Sequence, residues 1–123
     1  MQLSEHFHLD ELLQSQAADR LGIDLNEEVT HDVIARLHRL AQDVLQPIRD
    51  EVGAPVHVSS GWRPQEVNDA VGGAENSRHM QGTAADIYTN TMSAKELYDL
   101  IEGLDLPLVE LILYDSHVHV AIS

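Results

Sequence analysis

The sequence predicts an α+β fold, and three observations predict it. Apolar residues recur at three- and four-residue steps through Val33, Ile34, Leu37, Leu40, Ala41, Val44, Leu45 and Ile48, the stripe of a helix that faces a core. Short apolar or alternating runs, read as strands, gather in the later part of the chain at 56–58, 83–88, 108–114 and 117–122. Finally, 123 residues with 43% hydrophobic content suit one compact core, and no repeat, low-complexity stretch or second domain interrupts them. Residues 1–123 are therefore read as a single domain.

Taken in order, Leu9 to Gln16 reads as a short amphipathic helix and Gly22 to Glu28 as a polar connection. Thr30 is placed to cap the long helix, Pro47 to kink it near its end and Gly53 to stop it. A short strand at Val56-His57-Val58 runs into Ser59-Ser60-Gly61-Trp62-Arg63-Pro64. Pro64 can open a helix over 65–70, which Gly72-Gly73 ends. Asn76 to Gly82 reads as loop and Thr83 to Tyr88 as a buried strand. Ser93 caps a helix through Glu102. Two strands, 108–114 and 117–122, meet at Asp115-Ser116 with the spacing of a tight hairpin, although Asp-Ser is a weak hairpin turn.

Composition removes several function classes. The chain has 7 Lys and Arg against 21 Asp and Glu, a net charge of −14. Such a surface neutralises no phosphates and docks on no anionic membrane, so neither nucleic acid nor membrane is expected as a partner. No apolar stretch is long enough to span a bilayer. Residues 1–14 carry neither a basic segment nor an apolar run, so no signal peptide and cytoplasmic synthesis are expected. A monomer is expected. There is no cysteine, which leaves His, Asp and Glu as the ligand types for a transition metal, and eight His are present.

Two segments hold the chemistry. The first is Ser77-Arg78-His79-Met80-Gln81-Gly82-Thr83-Ala84-Ala85-Asp86, with a His seven residues before an Asp. The second is Asp115-Ser116-His117-Val118-His119. Side chains alternate along a strand, so His117 and His119 share one face while Val118, Val120 and Ile122 take the core.

Together these segments resemble a superfamily that contains zinc D-alanyl-D-alanine carboxypeptidases, vancomycin-resistance dipeptidases, phage L-alanyl-D-glutamate endopeptidases and the Hedgehog signalling domain. Its signature is Ser-x-His, Gly and Ala at set places, then Asp, and His-x-His near the end. Ser77, His79, Gly82, Ala84 and Asp86 match the first part, and His117 and His119 the second. Ser60-Gly61-Trp62-Arg63 resembles the family's Ser-Gly-Tyr-Arg. Leu3 to Phe7 and Asn68 to Gly73 look like the short, phage-associated branch. The resemblance implies a Hedgehog/DD-peptidase-like arrangement, helices packed on a small, mainly antiparallel sheet. It also implies one zinc ion on His79, Asp86 and His119, with an open position for water.

The remaining roles follow the same resemblance. The family's general base is an acid shortly before the last ligand, which points to Asp115, with Glu110 on the adjacent strand as its rival. The first His of His-x-His points to His117 as stabiliser of the oxyanion. Arg63 is expected to clamp a substrate carboxylate. Ser77 either bonds the substrate or shapes the loop. Trp62 is assigned to the core rather than the cleft, and His6, His8, His31 and His38 to structure or surface. The implied function is hydrolysis of peptidoglycan stem peptides, at D-Ala-D-Ala or at L-Ala-D-Glu. The alternative is a zinc-containing binding module without activity. Either a cytosolic dipeptidase or a phage enzyme released to the wall fits the absent leader.

Overall fold

A computed structural model describes residues 1–123. The long helix forms where the apolar stripe places it, as α4 (His31–Leu40), a π-helical stretch (Ala41–Leu45) and α5 (Gln46–Val52) in one continuous run. Thr30 Oγ1 accepts from the Val33 N–H at the start, and Gly53 takes a left-handed φ of 71° at the end. The widened turn sits just before Pro47. Proline has no N–H to donate and its ring crowds the carbonyl of Asp43, so the helix loosens there without a break. Leu37, Leu40, Val44, Leu45 and Ile48 along this run are fully buried.

The amino-terminal part is more divided than its sequence suggests. The single helix expected over 9–16 is two: α1 (Leu9–Leu12) and α2 (Gln16–Leu21). Helix α1 stops because the Leu12 carbonyl accepts from the Trp62 N–H at 2.8 Å, a partner far away in sequence. Gly61 lies so close to Leu12 that a Cβ there would collide with its backbone. Ser15 then caps α2. The expected polar connection after Gly22 holds a further helical turn, α3 (Leu25–Glu28), because Leu25 is drawn into the core.

Four strands, β1 (Val56–Ser60), β2 (Ala84–Thr89), β3 (Glu110–Leu113) and β4 (Val118–Ala121), form one wholly antiparallel sheet in the order β1-β2-β4-β3. The β3–β4 turn is a tight hairpin. Leu113 pairs with Val118, the Tyr114 N–H reaches the His117 carbonyl at 3.0 Å, and Asp115-Ser116 form the tip. One sheet face, with Ala85, Ile87, Val118 and Val120, packs into the core. Helix α7 (Ala94–Glu102), capped by Ser93 and Glu96, lies against β2, β3 and β4, while α5 lies against β1. The other face carries Asp86 paired with His119, and this is where the two sequence segments meet.

Between β1 and β2, α6 (Gln65–Ala70) follows Pro64, which is its N-cap rather than its first residue. The stretch expected as loop over 76–82 contains one 3-10 turn, Arg78–Gln81. Ser77 caps it, and Gly82 ends it at a left-handed φ of 80°, where a Cβ would also crowd Val33.

Candidate metal centre

His79 stands on the 3-10 turn and is 2% exposed. Its Nδ1 lies 2.8 Å from the Gly61 carbonyl, which only accepts, so Nδ1 carries the proton and Nε2 presents a lone pair. That Nε2 faces Asp86 Oδ1 at 3.2 Å. His119 is arranged the other way round. Its Nε2 lies 2.9 Å from Glu110 Oε1, and its Nδ1 lies 3.0 Å from the same Asp86 Oδ1. Each imidazole is thus held from outside by an acceptor and turns its other nitrogen inward.

Two inward lone pairs aimed at one carboxylate oxygen repel each other unless a cation sits among them. The donor set therefore fits a metal ion: one atom each from His79, Asp86 and His119, all within 4.8 Å of one another. Two imidazoles and a carboxylate suit zinc in a site that keeps a position open. The outer partners, Gly61 and Glu110, fix tautomer and ring direction as they do around metal-bound histidines generally. A second grouping, Glu5, His6 and Asp50, is exposed, and Gln46 already bonds His6 and Asp50.

Without a metal, hydrogens on the inward nitrogens relieve the same repulsion. Burial by itself would raise the Asp86 carboxyl, but hydrogen bonds from His119 and His79 and their charge hold it well below the usual carboxylate range. Burial would lower His119, yet Asp86 and Glu110 override it and raise the ring above the ordinary histidine value.

A cleft of about 480 Å³ opens over the centre, lined by Arg63, Ser77, Glu110, Tyr114 and His117 among others. His117 Nε2 is 3.7 Å from Asp86 Oδ2, and its ring stacks on Tyr114 with centroids 4.7 Å apart. Arg63 donates its backbone N–H to the His79 carbonyl, and its side-chain Nε is buried with no protein partner. Burial presses the guanidinium below its ordinary pKa, against the opposing charges of Asp86 and Tyr114. Ser77 lines the cleft and uses its hydroxyl to cap the turn that carries His79. Trp62 is core, 6% exposed, and donates to the Met80 carbonyl.

Six of the seven sequence-predicted site residues thus surround one cleft, and the seventh does not. Asp115 is exposed at the hairpin tip and outside the lining, because a two-residue turn carries its middle residues beyond the strand face. Glu110 does line the cleft, but it is bonded to the side of the His119 ring opposite Asp86. Sequence reasoning missed Tyr114 and Arg78. Arg78 places its Nε 3.9 Å from Glu110 Oε1. Strand alternation puts Tyr114 on the face of Glu110, and that was the available signal.

The peptidase M15 profile matches residues 5–121. The chain belongs to the peptidase M15 family. The expected superfamily and the α+β class both hold. The chain is also similar to a Streptomyces albus G protein, zinc D-Ala-D-Ala carboxypeptidase, with 50% identity over 44 residues. That match covers 35% of this chain and only 17% of the relative's length.

Proposed function

We propose that this M15 chain is a zinc peptidase that hydrolyses a peptide bond in the stem peptides of peptidoglycan. One observation carries the reading: His79 Nε2, Asp86 Oδ1 and His119 Nδ1 converge at the base of an open cleft, each ring held from behind. The name of the Streptomyces albus G relative supports both the zinc and the class of substrate.

Zinc, when bound, acts as a Lewis acid on a substrate carbonyl and acidifies a water molecule towards a pKa of ~7. The chain's residues supply the rest. Asp86 contributes the single negative charge of the ligand set. Arg63 holds a substrate carboxylate through the guanidinium that finds no protein partner. His117, beside Asp86 and facing the cleft, donates to the oxyanion as the carbonyl becomes tetrahedral. Glu110 positions His119. Asp115 takes the proton of the attacking water and returns it to the leaving amine. It is the free acid of the hairpin, since Glu110 is engaged, and from its exposed place at the tip this role requires the tip to bend over the cleft.

The exposed position of Asp115 also favours a second reading, a zinc-containing binding module without turnover. Digestion of purified peptidoglycan and of D-Ala-D-Ala dipeptide by zinc-loaded protein, with mass spectrometry of the products, decides between them. Peptide products support the peptidase, and intact substrate at full zinc occupancy leaves the binding module.

A further inference from the structure

Strand β3 is an edge of the sheet, paired with β4 on one side only. The Tyr114 N–H bonds the His117 carbonyl, so Tyr114 turns its backbone groups towards β4. By the alternation of an antiparallel ladder, Ile112 and Glu110 do the same opposite His119 and Ala121. Leu111 and Leu113 therefore turn their N–H and C=O groups outward. Folded proteins commonly guard such an edge with lysine, proline or a bulge. Glu110-Leu111-Ile112-Leu113 carries no lysine or proline, and its register with β4 runs without a shift.

The side chains on this strand are unusual for so acidic a chain. Of eight exposed large apolar residues, four fall in one short run: Val109, Ile112, Leu113 and Tyr114. Across residues 106–114 the one carboxylate is Glu110, which already bonds His119 and has Arg78 beside it. Two chains of net charge −14 can meet here without setting carboxylate against carboxylate.

We propose that β3 pairs antiparallel with β3 of a second copy of this chain, across a two-fold axis through Ile112 and normal to the sheet. The strand itself sets the register. Leu111 and Leu113 exchange backbone bonds with the partner's Leu113 and the partner's Leu111. Ile112 faces the partner's Ile112, and Glu110 faces the partner's Tyr114, so no like charges are opposed. A slip one way sets Leu113 against Val109, whose N–H the Ala121 carbonyl has taken. A slip the other way sets Leu111 against Asp115 in the turn. The axis keeps both cleft faces on one side of a continuous sheet. Because Tyr114 and Glu110 line the cleft, the partner's Tyr114 stands at its rim. On the peptidase reading, two centres on one face engage a repeating substrate twice, but the contact itself depends on the sheet and not on the metal.

Sedimentation velocity of the zinc-loaded chain from ~5 to ~500 µM should show monomer and dimer in exchange, since so short a contact is at the small end of specific interfaces. Added salt should favour the dimer by screening the −14 on each chain. Leu113→Pro removes an outward N–H and no bond to β4, so it should weaken the dimer about tenfold or more while Tm changes little. The chain has no cysteine, so Ile112→Cys introduces a single thiol. On the axis it meets its copy in a pair with Cα atoms ~4.5 Å apart, within disulfide range. Oxidation should give a covalent dimer from Ile112→Cys and not from Leu21→Cys, an exposed position on α2. If Leu113→Pro does not fold, this cysteine pair decides. A monomer at every concentration overturns the proposal, as does a dimer in which Ile112→Cys cross-links no better than Leu21→Cys. A monomer whose Leu111 and Leu113 amide resonances move with a peptidoglycan peptide, and not with concentration, also overturns it and gives the edge to substrate.

Discussion

Glu110 and Asp86 bond opposite nitrogens of the same ring: His119 Nε2 meets Glu110 Oε1 at 2.9 Å while Nδ1 meets Asp86 at 3.0 Å. This relationship makes Glu110 a positioning residue. In Glu110→Gln the side chain can still accept from Nε2–H but no longer carries charge, so the ring keeps its direction and becomes a weaker donor to metal. Zinc affinity should fall about tenfold, and in Glu110→Ala by up to ~100-fold. Chelator competition measures this. Unchanged affinity with turnover abolished in Glu110→Gln would make Glu110 the proton carrier instead.

Replacement of a ligand should act on metal first. One zinc per chain is expected, and His79→Ala, Asp86→Ala or His119→Ala should each leave the protein largely metal-free after dialysis against a mild chelator. Full occupancy in both His79→Ala and His119→Ala would misplace the site.

Much of this was legible in the sequence, for identifiable reasons. The long helix and the hairpin depend on local periodicity, so Val33 to Ile48 and the Asp115-Ser116 spacing sufficed. The division of the first helix depends on Trp62 claiming the Leu12 carbonyl, a contact that no local pattern encodes. His79, Asp86 and His119 were readable because their spacing follows a family pattern. The Glu110–His119 bond was not, because it needs the strand register. Only once the turn sets Ile112 opposite His119 does Glu110 fall on the diagonal within reach. The partnerless Nε of Arg63 is likewise a property of packing alone.

Protons and zinc compete for the same inward nitrogens, so pH should act in opposite directions on the two forms. His119 is raised in the folded, metal-free protein. The stability this contributes is fully present below the unfolded value, about 6.5, and is lost as pH rises through the higher folded value. Zinc binding needs that nitrogen free, so its contribution grows over the same interval. The rise in Tm on adding zinc should therefore increase steadily from pH 5.5 to pH 8, a window of ~2.5 units around the histidine range. A constant increment would remove His119 from the ligand set.

Asp115 and His117 should separate turnover from metal binding. Neither belongs to the ligand set, so Asp115→Asn and His117→Ala should retain zinc. Both should lose kcat, on the order of a hundredfold or more. The Asp115 result is the sharper, because that residue is exposed and makes no hydrogen bond that its loss would break. Near-normal turnover in Asp115→Asn shows that the hairpin tip does not close and that another group carries the proton.

Arg63 offers the most specific test of the substrate. Its guanidinium lies against the cleft with a buried, unpartnered Nε, a costly arrangement for a group that exists only to be soluble. A bidentate pair with a substrate carboxylate would repay that cost and fix the scissile bond over the metal, whereas Lys supplies a point charge without orientation. Arg63→Lys should therefore reduce kcat/KM by roughly tenfold despite keeping the charge, with Arg63→Ala lower still. Zinc should still bind, since the backbone N–H of Arg63 to the His79 carbonyl survives substitution, and the side chain acts on the ligand set only through its charge near Asp86. An amidated substrate should be cut poorly by the wild type, and Arg63→Ala should cut it no worse than the wild type does, because the carboxylate it lost was the residue's partner. Equal cleavage of acid and amide by the wild type would leave the buried guanidinium without a substrate role.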